Sequence, residues 1–395
     1  MQRRQLRFLF LNVGHFLDHY FMLIFATAAA LRLTTEWGLS YSELIPYATP
    51  GFIAFGICAI PAGWLADKWS REGMMVIFFF GIGLSSILTG MANSPQQIAV
   101  SLTSIGIFAA IYHPVGLAMV VQGRAKTGMP LAINGVFGNM GVACAALLTG
   151  FLIDTVDWRS AFIFSGMASV GVGMLYFLFT RTESQVEMDA GAGIDANQKT
   201  EYFSFSRRTL FRIFGIILFT TAIGGLIFQS TTFALPRVIE ERLTDFADTA
   251  TLVGWYTFMV FSLAAFAQLI VGYLVDNYSV RVVFACVALL QAVFFALMIQ
   301  LNGIVALVVA IAFMLAVFGQ IPINDVLVGR MVRSEWRSRA YGLRYVVTFS
   351  VMASAVPFIA WVHSSWGFAT LFGILSAAAL LIFAAVLLLP AMETA

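Results

Sequence analysis

GWLADKWSREG, Gly63 to Gly73, and GYLVDNYSVR, Gly272 to Arg281, are one pattern written twice. Each places an aspartate four residues after a glycine and ends on basic residues, and the two glycines stand 209 positions apart. Each also follows one long apolar run and precedes another. A second echo, WRSAF from Trp158 and WGFATLF from Trp366, repeats at an offset of 208. Two unrelated echoes at nearly one offset make the chain a tandem repeat. In such a loop the glycine lets two helices approach closely, while the carboxylate caps a helix N-terminus or pairs with a basic neighbour. The plainer account of a single loop is ordinary cytoplasmic positive charge; the repetition favours a gate built from Gly63, Asp67, Lys68, Arg71, Gly272, Asp276 and Arg281.

The surroundings of these loops set the fold class. Of 395 residues, 60% are hydrophobic and 11% charged, with a mean hydropathy of +0.90. A soluble chain carries about 25% charged residues. Apolar runs long enough to cross a bilayer of about 30 Å recur throughout. The spacing predicts twelve spans: 8–31, 44–65, 74–91, 98–121, 129–153, 161–179, 213–235, 252–275, 280–299, 304–328, 345–362 and 368–389. They are helices, since lipid offers no partner to an open backbone group, and they lack the alternation of a barrel strand. The chain is thus an all-α polytopic membrane protein. The start resembles a signal peptide, with ATAAA at Ala26–Ala30 as a cleavage site, but its apolar run is long and charged, so it is read as helix 1.

With the N-terminus inside, inner segments hold eighteen Lys and Arg and outer ones only Arg32, Arg159, Arg237 and Arg242. Both termini are therefore expected in the cytoplasm of a bacterial inner membrane. A net charge of +2 implies no nucleic-acid partner. Cys58, Cys144 and Cys286 share no motif spacing and read as small apolar residues. No GxxxxGK[ST], HExxH or GxSxG appears, so neither an ATP-driven machine nor an enzyme is expected, and no cofactor or resident metal. The polar stretch Arg181–Arg208 divides the chain into a bundle at 1–180, a cytoplasmic linker at 181–209 and a bundle at 210–395.

Twelve helices in two repeats, with G-x-x-x-D-[K/R]-x-x-x-[R/K] after helix 2, resemble the major facilitator superfamily of secondary transporters. More narrowly, His15 with a nearby aspartate, YHP at Tyr112–Pro114 and INGVFGNMG from Ile133 are similar to the fosmidomycin-resistance-like exporters. The resemblance implies two pseudo-symmetric six-helix bundles, alternating access, proton antiport and efflux. Two features depart from drug antiporters. Helix 4 reads SLTSIG before Gly106 where many of them carry an arginine, and helix 5 continues GVACAALLTG without the G-P step of the antiporter signature.

Candidate site residues are the polar groups inside spans, where an ionisable residue is a functional-site hypothesis by default. GHFLDHY places His15, Asp18 and His19 at i, i+3 and i+4 on one face of helix 1. They bind and release a proton, or they form a structural hydrogen-bond cluster. His113 precedes Pro114, where helix 4 is expected to kink. Helix 10 repeats the proline at Pro322 within QIPIND, so Asn324 and Asp325 lie at comparable depth. Asn134 and Asn139 line the cavity or bond between helices. Arg344 binds an anionic substrate or latches the cytoplasmic gate through Asp67. Gln229 and Gln268 are weaker cavity candidates.

These residues lead us to expect a monomeric, proton-coupled exporter of a small organic solute, with Asp18, His15, His19 and His113 carrying the proton. The rivals are a transporter of a transition metal or metal chelate using the same four residues, and an organic-anion:proton importer using Arg344.

Overall fold

In the computed structural model every element is a helix. The structure describes residues 3–122, 124, 128–187, 207–331 and 334–389. Ten apolar helices run as α1 (Arg3–Trp37), α2 (Tyr41–Lys68), α3 (Arg71–Gly90), α4 (Pro95–Val121), α5 (Met129–Thr155), α6 (Trp158–Arg181), α7 (Phe211–Arg242), α8 (Ala250–Asn277), α9 (Val280–Met298) and α10 (Gly303–Asn324). The last apolar stretch, Val346–Leu387, breaks at Gly367, whose φ of 74° only glycine adopts without strain. It therefore forms two helices, α11 (346–366) and α12 (368–387), and the described residues hold twelve spans.

Local chemistry sets where helices start. Ser70 caps α3 by accepting from the Gly73 amide, and Ser94 caps α4 through Gln97. Ser40 and Glu43 make a reciprocal capping box at α2. Such caps contribute about 1 kcal/mol each.

Two boundaries differ from the sequence expectation. Helix 6 continues to Glu187 and helix 7 resumes at Arg207, so both run into the expected linker, and 188–206 lies outside the described residues. At the other end α7 runs on through Pro236 to Arg242, beyond the expected stop at 235. Polar residues extend a helix once it leaves the hydrocarbon, where hydropathy no longer marks it.

The repeat is visible in the packing. In the first half α1 packs on α5 and α3 on α6; in the second, α7 packs on α11 and α9 on α12. Ser86 donates to the Phe162 carbonyl across α3–α6, and Ser376 to the Ala292 carbonyl across α12–α9. The halves meet through α5 against α8 and α2 against α11. At the first contact glycine is obligatory: a Cβ on Gly150 would stand 2.2 Å from the Ala250 carbonyl oxygen.

The expected kink at Pro114 takes a specific form. Tyr112–Gly116 is a π-helical turn in α4, wider than its flanks. Proline lacks the N–H that an α-turn needs, and the wider turn absorbs the extra residue. Pro322 has no such effect, because α10 stays α-helical through it.

Candidate functional site

The π-turn of α4 places His113 beside α1. His113 Nε2 lies 3.3 Å from Asp18 Oδ2, and Asp18 has no exposed surface. Among the described residues no hydrogen bond reaches either carboxylate oxygen. The contact is close but poorly aligned for a hydrogen bond, and a buried carboxylate without a well-made partner is costly.

His15 stands next in the cluster. Its Nδ1 donates to the Asn134 carbonyl at 2.8 Å, which leaves the lone pair on its Nε2, a buried atom without a partner. A neutral imidazole with one nitrogen held and the other open accepts a proton or a cation. His19 and His113 are half-buried, and nitrogens of the three rings all lie within 4.8 Å of one another. His15 also stacks on Tyr112, with ring centroids 4.8 Å apart.

The cluster sits where the two halves meet. Phe55 of α2 and Phe349 of α11 both face His113, at 5.8 and 6.0 Å between ring centroids, and touch each other at 4.8 Å. Two aromatic rings from opposite halves thus close over the imidazole. Gly63, the glycine of the repeated motif, faces the Pro114 ring, 3.2 Å from where a Cβ would stand. The motif at the end of α2 therefore supports the turn that carries His113.

Several sequence expectations change here. For Asn134 the geometry favours the second of its two expected roles, a bond between helices. It is fully buried and donates to Asn12 Oδ1 and to the Tyr112 hydroxyl, each at 2.9 Å, while Tyr112 donates to the Leu11 carbonyl. It ties α1, α4 and α5 together, because its helix rotation turns it inward. Asn12 and Tyr112 belong to this network; Asn12 has no motif of its own in the sequence, and Tyr112 was noted there only as part of YHP. Among the described residues nothing lies within 4 Å of a Cβ built on Gly272, unlike Gly63. Asp67 pairs with Arg71 one turn away at 2.8 Å, within its own loop, and Lys68 is exposed. Arg7 pairs with Glu72, joining α1 to α3. Asp276 is exposed, and Arg281 lines a groove between α9 and α12. The side chains of Asp325 and Arg344 lie outside the described residues.

The remaining cavity candidates keep open polar atoms. Asn139 Nδ2, Gln229 Nε2 and Asn324 Oδ1 are buried without hydrogen-bond partners. Gln320 joins this belt: it accepts from Gln291 Nε2 at 2.7 Å, while its own Nε2 stays open. A lost partner costs a buried polar atom about 1–3 kcal/mol. Atoms of this kind are what a solute bearing hydroxyls or carboxylates would engage. Gln268 is half-buried and faces Gly135.

A second ionic group, also missed in the sequence, lies at the opposite end of the helices. Arg237 of α7 donates to Glu240 and Glu241, each at 2.7 Å, and to the Ala30 carbonyl of α1 at 3.5 Å. His363 of α11 lies 3.1 Å from Glu241 through Nε2, and its Nδ1 lies 2.9 Å from the Ser42 hydroxyl of α2. Asp154 of α5 accepts from both the amide and the hydroxyl of Thr251 on α8. All three cross-half ties hold the same end shut. The available signal was RVIEER, an ionic run that begins two residues past the hydropathic end of span 7.

A polytopic bundle with an ionisable cluster against its central seam defines a class of membrane protein, and the comparisons name its family. The chain belongs to the Major Facilitator Superfamily, whose sequence model matches residues 11–244 and 238–395. It is similar to a probable L-galactonate transporter of Escherichia coli (strain K12), 25% identical over 195 residues, 47% of this chain and 43% of that one. A gallate transporter of Pseudomonas putida is 23% identical over 275 residues, 63% of this chain and 60% of its own. The alignments thus span about half the length of these curated relatives. Among solved structures, the D-xylose–proton symporter has a TM-score of 0.74 at 14% identity, covering 98% of both chains. A bacterial homologue of the lysosomal transporter Spinster has a TM-score of 0.72 at 12% identity, covering 98% of this chain and 95% of its own. At these identities the likeness speaks for the fold.

Proposed function

We propose that this chain is a proton-coupled secondary transporter that moves a small organic solute across a bacterial inner membrane by alternating access. It works as a monomer, with both termini in the cytoplasm. The observation that carries the reading is Asp18, buried against His113 at the seam between the halves with neither oxygen hydrogen-bonded. A group in that position changes charge state when the seam opens to water on one side and then the other. The open nitrogen of His15 and the half-buried His19 continue the path a proton would take.

The solute class we favour is an organic acid. The relatives' names specify galactonate and gallate, and a 4-hydroxybenzoate transporter of Pseudomonas aeruginosa is 26% identical over 159 residues. The open amides of Asn139, Gln229 and Gln320 present donors to such a solute, with Asn324 as an acceptor; Asp325 and Arg344 are proposed to complete that wall. The resemblance to fosmidomycin-resistance-like exporters carries the export direction, with protons running inward. The relatives support the second direction, uptake of the acid with a proton. In either case one proton falling through 100 mV supplies about 2.3 kcal/mol, a concentration ratio of roughly fifty.

The test is flux in proteoliposomes under an imposed pH gradient. Galactonate, gallate and 4-hydroxybenzoate are offered on either side, and a drug panel serves for export. Asp18→Asn should abolish gradient-driven flux while the protein elutes and melts as the wild type does. Flux that keeps its dependence on the gradient overturns the assignment. Calorimetric titration with zinc settles the metal reading. Micromolar binding that disappears in a His15→Ala/His19→Ala double variant, together with zinc flux in the same vesicles, would replace protons with a metal ion as the cargo.

A further inference from the structure

A groove of about 390 Å³ runs between α9 and α12 on the outside of the second half. Ser279 and Arg281 line it, at the loop that precedes α9. Val282, Leu289, Phe383 and Leu387 continue its apolar wall. Val282, Leu289 and Leu387 are exposed, so this wall faces hydrocarbon when the protein is in a bilayer.

Apolar lining alone would select nothing, because lipid tails are as apolar as leucine. The arginine is the selective element. Among the described residues none forms a salt bridge with Arg281, although Arg7 and Arg71 at the same end of the molecule are paired with Glu72 and Asp67. The repeat makes the difference visible. Shifting by the motif offset of 209 places Arg281 on Glu72, a carboxylate already satisfied by Arg7. The pseudo-symmetry is broken at this position, and the outcome is a guanidinium at the rim of a groove with no salt-bridge partner among the described residues. A guanidinium offers a planar fork of donors that matches a phosphate, and Ser279 adds a hydroxyl. Basic residues against anionic leaflets and in pockets between helices on the cytoplasmic side are where acidic lipid headgroups collect.

We propose that the α9–α12 groove is a binding site for one anionic glycerophospholipid of the cytoplasmic leaflet. The headgroup phosphate sits on Arg281 and Ser279, and one acyl chain lies along Val282, Leu289, Phe383 and Leu387. The site is independent of the transport reading and of the cluster around Asp18.

The test is retention of lipid after detergent extraction from bilayers of phosphatidylcholine containing phosphatidylglycerol as the minor species, read by native mass spectrometry. The full chain should retain phosphatidylglycerol over its bulk proportion by about fivefold. Arg281→Gln should erase that enrichment, and Arg281→Lys should keep part of it. Leu387→Trp, which fills the groove without touching the charge, should reduce retention of the same lipid. Added inorganic phosphate should not displace it. Equal enrichment in wild type and Arg281→Gln overturns the proposal, as does displacement by phosphate. Removal of residues 390–395 is the remaining arm. If enrichment appears only in the shortened chain, the tail with Glu393 is the occupant and the lipid is not.

Discussion

Replacing His363 by alanine should shift the conformational balance of this protein toward the state open at the end that holds Glu241, and the size of the shift follows from which contacts cross the seam. His363 makes two polar contacts. The one to Glu241 at 3.1 Å joins α11 to α7, both in the second half. The one to Ser42 at 2.9 Å joins α11 to α2, across the halves. If the halves rock as rigid bodies, only the second contact is lost on opening. A hydrogen bond of that kind contributes about 1 kcal/mol, which converts to about a fivefold change in a two-state ratio. The Glu241 contact sets an imidazole against a carboxylate, with side chains 16% and 33% exposed. It adds to the stability of the second half, about 0.5–1 kcal/mol after screening, but not to the seam. Four variants therefore separate the terms. His363→Ala and Ser42→Ala should each raise the fraction open at this end about fivefold, and the double variant should add nothing further. Glu241→Gln should lower the melting temperature and move the open fraction little. The assay is the distance distribution between spin labels at Thr35 and Asp245, two exposed positions at this end, in a background with Cys58, Cys144 and Cys286 replaced by alanine. An unchanged distribution in Ser42→Ala, or an equal shift in Glu241→Gln, would refute the rigid-half account of the closed end.

Two further outcomes follow from contacts described above. Asp154→Ala removes both bonds to the start of α8, and because the carboxylate is exposed the loss is about 1–2 kcal/mol; it should open the same end by roughly tenfold in the same distance measurement. Asn134→Leu leaves Asn12 Oδ1 and the Tyr112 hydroxyl without their shared partner inside the first half. That should cost about 2–3 kcal/mol of stability, read as an earlier melt in detergent, with the His15 contact retained because it uses the backbone carbonyl.

Much of this protein was legible in one dimension. Span length, the doubled loop motif and the paired tryptophans depend on composition and on offsets along the chain, which the bilayer and the repeat convert directly into helices and halves. The cluster on α1 was legible for the same reason. His15, Asp18 and His19 share a face through helical period alone, and their cost in hydrocarbon singles them out whatever lies opposite. What lies opposite could not be read that way. Asp18 meets His113 because a π-helical turn at Pro114 rotates α4, and that turn rests on Gly63 of a third helix. Asn134 and Asn139 are five residues apart on one helix, yet the first is consumed in a three-helix tie and the second keeps an open amide. Gly63 and Gly272 occupy one motif position, yet one abuts a proline ring and the other meets none of the described residues within 4 Å. His363, one residue past the expected span 345–362, drew no reading from the sequence, because its meaning depends on Glu241 and Ser42, which lie far from it in the chain. The amino-acid sequence determined which residues hydrocarbon would not tolerate alone; the rotation and depth of each helix, set by close packing at contacts such as Gly150 against Ala250, decided which partner each one received.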